Sequence, residues 1–93
     1  MRFTLDITMN NKEGALERLL GRLRQRNFSI CNLTAGCSDD FSTMSALITV
    51  ESGRAPELAV KQLDKLIDVE RVRVFEVEEK CVANEEHRNV YSQ

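Results

Sequence analysis

Few residues in this sequence are equipped for chemistry. The single histidine, His87, sits in a polar stretch near the C-terminal end, so a histidine-based nucleophile or metal set lacks its members. The adjacent carboxylates Asp39 and Asp40 read as turn residues rather than metal ligands. Three cysteines (Cys31, Cys37 and Cys81) are odd in number and lack C-x-x-C spacing. On one extended strand Cys31 and Cys37 would stand ~20 Å apart, too far to bridge. They read as reduced thiols, with Cys31 a small buried hydrophobe rather than a reactive group.

What remains is binding chemistry, and it centres on NNKEGALERLL, residues 10–20. Gly14 stands at the mouth of a helix, where alanine would be more stable by about 0.5–1 kcal/mol if the position were helical. A residue without Cβ there exposes backbone N–H groups at the positive end of the helix, where a carboxylate or phosphate can approach. The competing explanation is close packing of Gly14 against its own sheet. Asn10 or Asn11 is placed to cap the helix.

The surrounding pattern fixes the elements that would hold this mouth. Phe3, Leu5, Ile7 and Met9 alternate with polar residues, which predicts a strand with one buried face. Leu16, Leu19, Leu20 and Leu23 fall at helical spacing from Ala15 to about Arg26, with Arg18, Arg22, Arg24 and Arg26 crowding the end where the dipole favours cations. Phe28 to about Ser38 predicts a second strand, and no charge occurs from Asn27 to Ser38. Met44, Ala46, Ile48 and Val50 mark a third strand. Pro56 opens a second helix with Ala59, Leu63, Leu66 and Ile67 on its inner stripe. Asp68 opens the fourth strand, VERVRVFEVEE, whose apolar parity shifts between Val74 and Phe75, through a bulge or a sheet covered on both faces.

The order β-α-β-β-α-β predicts an α+β fold, the ferredoxin-like βαββαβ sandwich. Its four-stranded antiparallel sheet runs 4-1-3-2 with both helices on one face. The domain is expected over residues 1–79, with a mobile tail over 80–93. In this topology the uncharged second strand is an edge, open to pairing with a second copy of the chain through Phe28, Ile30, Asn32 and Thr34. A net charge of −2 offers no electrostatic case for nucleic acid or anionic membrane, and Phe3 and Phe75 do not make a base-stacking set. No apolar run approaches the ~20 residues that span a bilayer. MRFTLDITM is too polar for a secretory core, so the expected location is cytoplasmic.

Four segments carry a resemblance. They are N-x-x-G-A-L at Asn11–Leu16, Q-R-N-F-S-I at Gln25–Ile30, N-L-T at Asn32–Thr34 and K-Q-L-D-K-L-I-D-V-E-R-V at Lys61–Val72. Together they resemble the ACT domain of acetolactate (acetohydroxyacid) synthase small subunits, over roughly residues 2–77, and most specifically through Q-L-x-K-L-x-D-V. The chain resembles the short, single-ACT-domain form of isozyme II type. The resemblance implies an activating regulatory subunit with no chemistry and no cofactor of its own. Its expected partner is a large catalytic subunit holding thiamine diphosphate, Mg²⁺ and FAD. It also implies a homodimer with a branched-chain amino acid at the interface, near Asn11, Gly14, Ser29 and Ile30. Valine-sensitive members read R-G-Y-N-I where this chain reads Arg26-Asn27-Phe28-Ser29-Ile30, so weak valine sensitivity is expected. The large subunit's contact surface is not legible; the Arg18–Arg26 cluster and Leu47 are candidates. The alternative is a free-standing ACT module that binds an amino acid and regulates another protein. A metal-chaperone version of the fold would need the missing C-x-x-C.

Overall fold

A computed structural model describes residues 1–78, and the expected tail 80–93, with Cys81 and His87, lies outside the described residues. The elements are β1 (Arg2–Asn10), α1 (Ala15–Gln25), β2 (Ser29–Cys37), β3 (Thr43–Glu51), α2 (Pro56–Asp64) and β4 (Val69–Glu78). All strand pairs are antiparallel and the sheet order is β2-β3-β1-β4, the topology the sequence predicts.

The core follows from two periodicities meeting. Every second residue of β1 (Phe3, Leu5, Ile7 and Met9) is buried, as are Ala46, Ile48 and Val50 of the paired β3. Onto that face α1 lays Ala15, Leu19 and Leu23, and α2 lays Ala59 and Leu63. Each large side chain so buried contributes about 1.5–3 kcal/mol. Pro56 occupies the first turn of α2, where its missing N–H costs nothing. At the other end of α1, Asn27 takes a left-handed φ of 71°, which asparagine tolerates, and Phe28 N–H returns to Leu23 O at 3.0 Å. That reversal drives the Phe28 ring inward to meet Phe3 edge-on, with centroids 6.1 Å apart. Phe28 is thus a core residue, 1% exposed, and not a side chain of the open strand edge, contrary to the sequence expectation.

Two other expectations change, at Ile67 and Cys31, and the open question in β4 resolves to one of its two alternatives. Helix α2 stops at Asp64, so Ile67 falls in the following turn and is 91% exposed instead of lying on the inner stripe. The parity shift in β4 is a bulge. Leu5 pairs with Val74 and Thr4 with Glu76, leaving Phe75 as the extra residue, and a second shift sits between Thr8 and Met9. A third bulge falls in β2, where Ile30 pairs with Val50 and Asn32 with Thr49. The residue between them, Cys31, is exposed, not the buried hydrophobe its type suggests.

The two sheet edges differ. Edge β4 carries Glu70, Arg71 and Arg73 and two bulges, devices that discourage another strand from adding. Edge β2 has no charged residue, one bulge near its start, and is exposed everywhere except at the half-buried Ile30. Beyond the bulge, Asn32–Cys37 is a regular, open ladder.

Candidate functional site

The mouth of α1 is built by three ties. Gly14 is the N-cap residue at φ 82°, ψ −5°, and its carbonyl accepts the Arg18 N–H at 3.0 Å. No side chain caps the helix. Glycine is required here by the left-handed backbone, not by packing on the sheet. A Cβ at Gly14 would also stand 2.9 Å from Arg18 Nη1. The Arg18 guanidinium is held in that space by its Nη2, which donates to Asp68 Oδ2 at 2.6 Å. Asp68 is buried at the start of β4, and its carbonyl accepts the Asn10 N–H at 2.7 Å. The loop before α1 is therefore fastened to the α2–β4 turn on both sides.

Asn11 does not cap the helix. Its N–H donates to Ser42 O at 3.0 Å, and its Nδ2 donates to Phe41 O at 2.9 Å and Cys37 Sγ at 3.3 Å. It ties the first loop to the β2–β3 loop instead. In that second loop Asp40 Oδ1 accepts from Ser38 Oγ, Ser42 N and Ser42 Oγ. The backbone N–H of Ser42, then the two hydroxyls, hold the Asp40 carboxyl below its ordinary value. Those bonds are in place above the ordinary carboxylate range and are lost as acid protonates the group. Asp40 is thus a turn fastener, and among the described residues no cluster of potential metal ligands occurs.

The residues singled out for an effector do not converge within one chain. Asn11 and Gly14 lie at the end of the sheet where Asn10 pairs with Thr43; Ser29 lies at the other end, paired with Glu51. The length of β2 separates them, about 26 Å at 3.3 Å per residue. Ser29 is exposed, and Ile30 packs against the core from the strand edge. Asn32 and Thr34 are exposed on β2, and Asn32 Oδ1 accepts the Leu33 N–H at 3.0 Å, so the chain caps a backbone donor of its own edge. Leu47 is half-exposed on the sheet face away from the helices, and Arg24 and Arg26 are exposed at the end of α1.

Three features escaped the sequence reading. The Arg18–Asp68 tie joins residues far apart in sequence, although the i, i+4 spacing of Gly14 and Arg18 hints at their contact. Phe41, in a stretch read only as a turn, is 70% exposed at a left-handed φ of 63°. A cleft of about 280 Å³ opens at the start of β2, lined by Arg24, Asn27, Phe28, Ser29 and Ile30. No helix among the described residues is long and apolar enough to cross a membrane.

Comparison with known proteins bears on this geometry. The ACT domain family matches residues 11–72. A probable acetolactate synthase small subunit of Archaeoglobus fulgidus is 37% identical over 87 residues, covering 91% of this chain and 53% of that protein. The acetolactate synthase isozyme 2 small subunit of Escherichia coli K12 is 30% identical over 74 residues, covering 80% of this chain and 85% of that protein. Among solved structures, the acetolactate synthase small subunit of Thermotoga maritima superposes with a TM-score of 0.71 at 24% identity, over 80% of this chain and 47% of that one. The chain spans about half the length of the archaeal relative and most of the isozyme 2 protein.

Two glycines in this region should respond oppositely to alanine. Gly14→Ala forces a left-handed Cβ against Arg18 and is expected to cost about 1–2 kcal/mol in urea denaturation. Gly21→Ala, in the interior of α1 with open space around it, should gain about 0.5–1 kcal/mol. Equal effects at the two positions would mean that Gly14 is not held by its backbone.

Proposed function

The chain belongs to the ACT-domain family and, within it, to the acetolactate synthase small subunits, and from that membership we propose that it is the regulatory small subunit of an acetolactate synthase. The observation that carries this reading is the match over 85% of the isozyme 2 small subunit, a protein of similar extent. On this reading the chain performs no chemistry. It binds a large catalytic subunit, and the thiamine diphosphate, Mg²⁺ and FAD of the reaction belong to that partner. The compartment the reading implies is the cytoplasm.

The physical task of such a subunit is to bind the active state of its partner more tightly than the inactive one. A coupling of about 1–3 kcal/mol corresponds to roughly 5–150-fold. The chain would act as a homodimer joined through the uncharged edge of β2, because that edge offers a ladder that β4 does not. Antiparallel pairing of two β2 edges brings the Ser29 end of one strand to the Cys37 end of the other, beside Asn11 and Gly14. Residues that one chain keeps about 26 Å apart would then meet twice across the dimer. That supports a branched-chain amino acid site shared between copies, with the carboxylate at the uncapped mouth of α1.

Two outcomes are expected. Adding the chain to its large subunit should raise synthase activity within the range above, while the chain alone shows none; unchanged activity and unchanged cofactor retention would remove the assignment. Second, valine should inhibit the reconstituted enzyme weakly, because Ser29 offers one short hydroxyl where valine-sensitive relatives have an asparagine amide. A hydrogen bond lost to a charged ligand group costs about 1.5–3 kcal/mol, roughly 10–150-fold in affinity. Ser29→Asn should therefore gain sensitivity in a valine titration, and strong submillimolar inhibition of the unaltered protein would contradict the reading.

A further inference from the structure

The dimer reading above leaves open what holds the ends of the two paired strands. The regular part of β2 is Asn32–Cys37. A twofold axis at the centre of that window sets Asn32 of one copy opposite Cys37 of the other. Carried outward, the same register sets Ser29 of one copy beside the Ser38–Ser42 loop of the other. Two unrelated features of the chain thereby meet.

One is charge. Asp39 on the loop has no hydrogen bond or ion pair among the described residues, and neither Arg24 nor Arg26 has an ion-pair partner there. The loop is acidic and the end of α1 beside Ser29 is basic. The other is shape. Phe41 presents its ring to solvent, 70% exposed, on a backbone at φ 63° that an aromatic residue rarely adopts. Its conformation is fixed from both sides, by Asn11 on its carbonyl and by Asp40 on Ser42. The cleft lined by Arg24, Asn27, Phe28, Ser29 and Ile30 is open to solvent, largely polar, and measures about 280 Å³.

We propose that in a side-by-side dimer each copy's Ser38–Ser42 loop docks on the other's Arg24–Ile30 cleft, with Phe41 as the anchor and Asp39 facing Arg24. The occupant is a second copy of this chain, and the proposal rests on the pairing of β2 edges. The ring stacks against the Arg24 guanidinium, a contact favoured electrostatically and by desolvation. The rigid loop loses little freedom on docking, which makes the anchor effective. The ring also lies where the shared amino acid site would open, so any effector competes with a side chain of the protein itself.

The test is the dimer dissociation constant of the full chain, measured by sedimentation over a concentration series. Phe41→Ala should raise it about 10- to 100-fold, and Phe41→Gly, which adopts the left-handed backbone without strain, should do the same. Ile67→Ala, which removes an even more exposed apolar side chain elsewhere, should leave it unchanged. Asp39→Lys and Arg24→Glu should each weaken the dimer, and the two together should restore it. A dimer that Asn32→Lys disrupts but that ignores Phe41 and shows additive charge variants overturns this proposal and leaves β2 pairing intact. A chain that stays monomeric overturns both. Phe41 variants that dimerise normally but lose affinity for the large subunit also overturn it, since the loop would then face that partner.

Discussion

An open sheet must do something with its edges, and this constraint organises the molecule. Each edge strand leaves a row of backbone donors and acceptors that the sheet itself cannot satisfy. The chain treats its two edges differently. Along β4 it places Glu70, Arg71 and Arg73 and interrupts the ladder twice with bulges. Along β2 it places nothing charged and keeps Asn32–Cys37 regular, with the Asn32 side chain accepting the Leu33 N–H. A sheet protected at one edge and left open at the other is directional, and that asymmetry is what the proposed pairing of two copies rests on.

The loops at the open end are positioned by ties that cross the sheet rather than by local turn chemistry alone. Asp68 holds the first loop twice, through its carboxylate to Arg18 and its carbonyl to Asn10. Asn11 holds the β2–β3 loop through Phe41 and Ser42. The uncapped helix mouth, the acidic loop and the end of the open strand are therefore tied to one another by hydrogen bonds. A ligand or partner that touches one of them finds the others already in place, which lowers the ordering cost of binding. The Arg18–Asp68 pair is half exposed on the arginine side, so its value lies in geometry more than in raw stability.

Much of this is legible in the sequence. The alternation of Phe3 to Met9 and the spacing of Leu16 to Leu23 specified strand and helix, because burial on one face leaves a period in the sequence. The missing charge from Asn27 to Ser38 marked the edge. The parity break at Phe75 announced its bulge. What escaped the reading depends on position in space. Phe28 has the same apolar character as an interface residue, and only the left-handed Asn27 turns it into the core. Ile67 continues the helical spacing of Leu63, but α2 ends before it. Cys31 gives no sign of the bulge at its position or of its exposure on the open strand. Asn11, Gly14, Ser29 and Ile30 are singled out by resemblance as residues for an effector, yet nothing in their spacing reveals that one chain holds the first two and the last two at opposite ends of the sheet.

If the chain joins another copy as proposed, it does so through β2 and not β4. Amide hydrogen exchange read residue by residue at rising protein concentration tests it most directly, because pairing converts exchanging edge amides into ladder donors. Protection that grows with concentration over Asn32–Cys37, while the amides of β4 from Glu70 to Phe75 stay unchanged, is the expected result. Exchange over Asn32–Cys37 that is independent of concentration, or protection that appears along β4 instead, would contradict it.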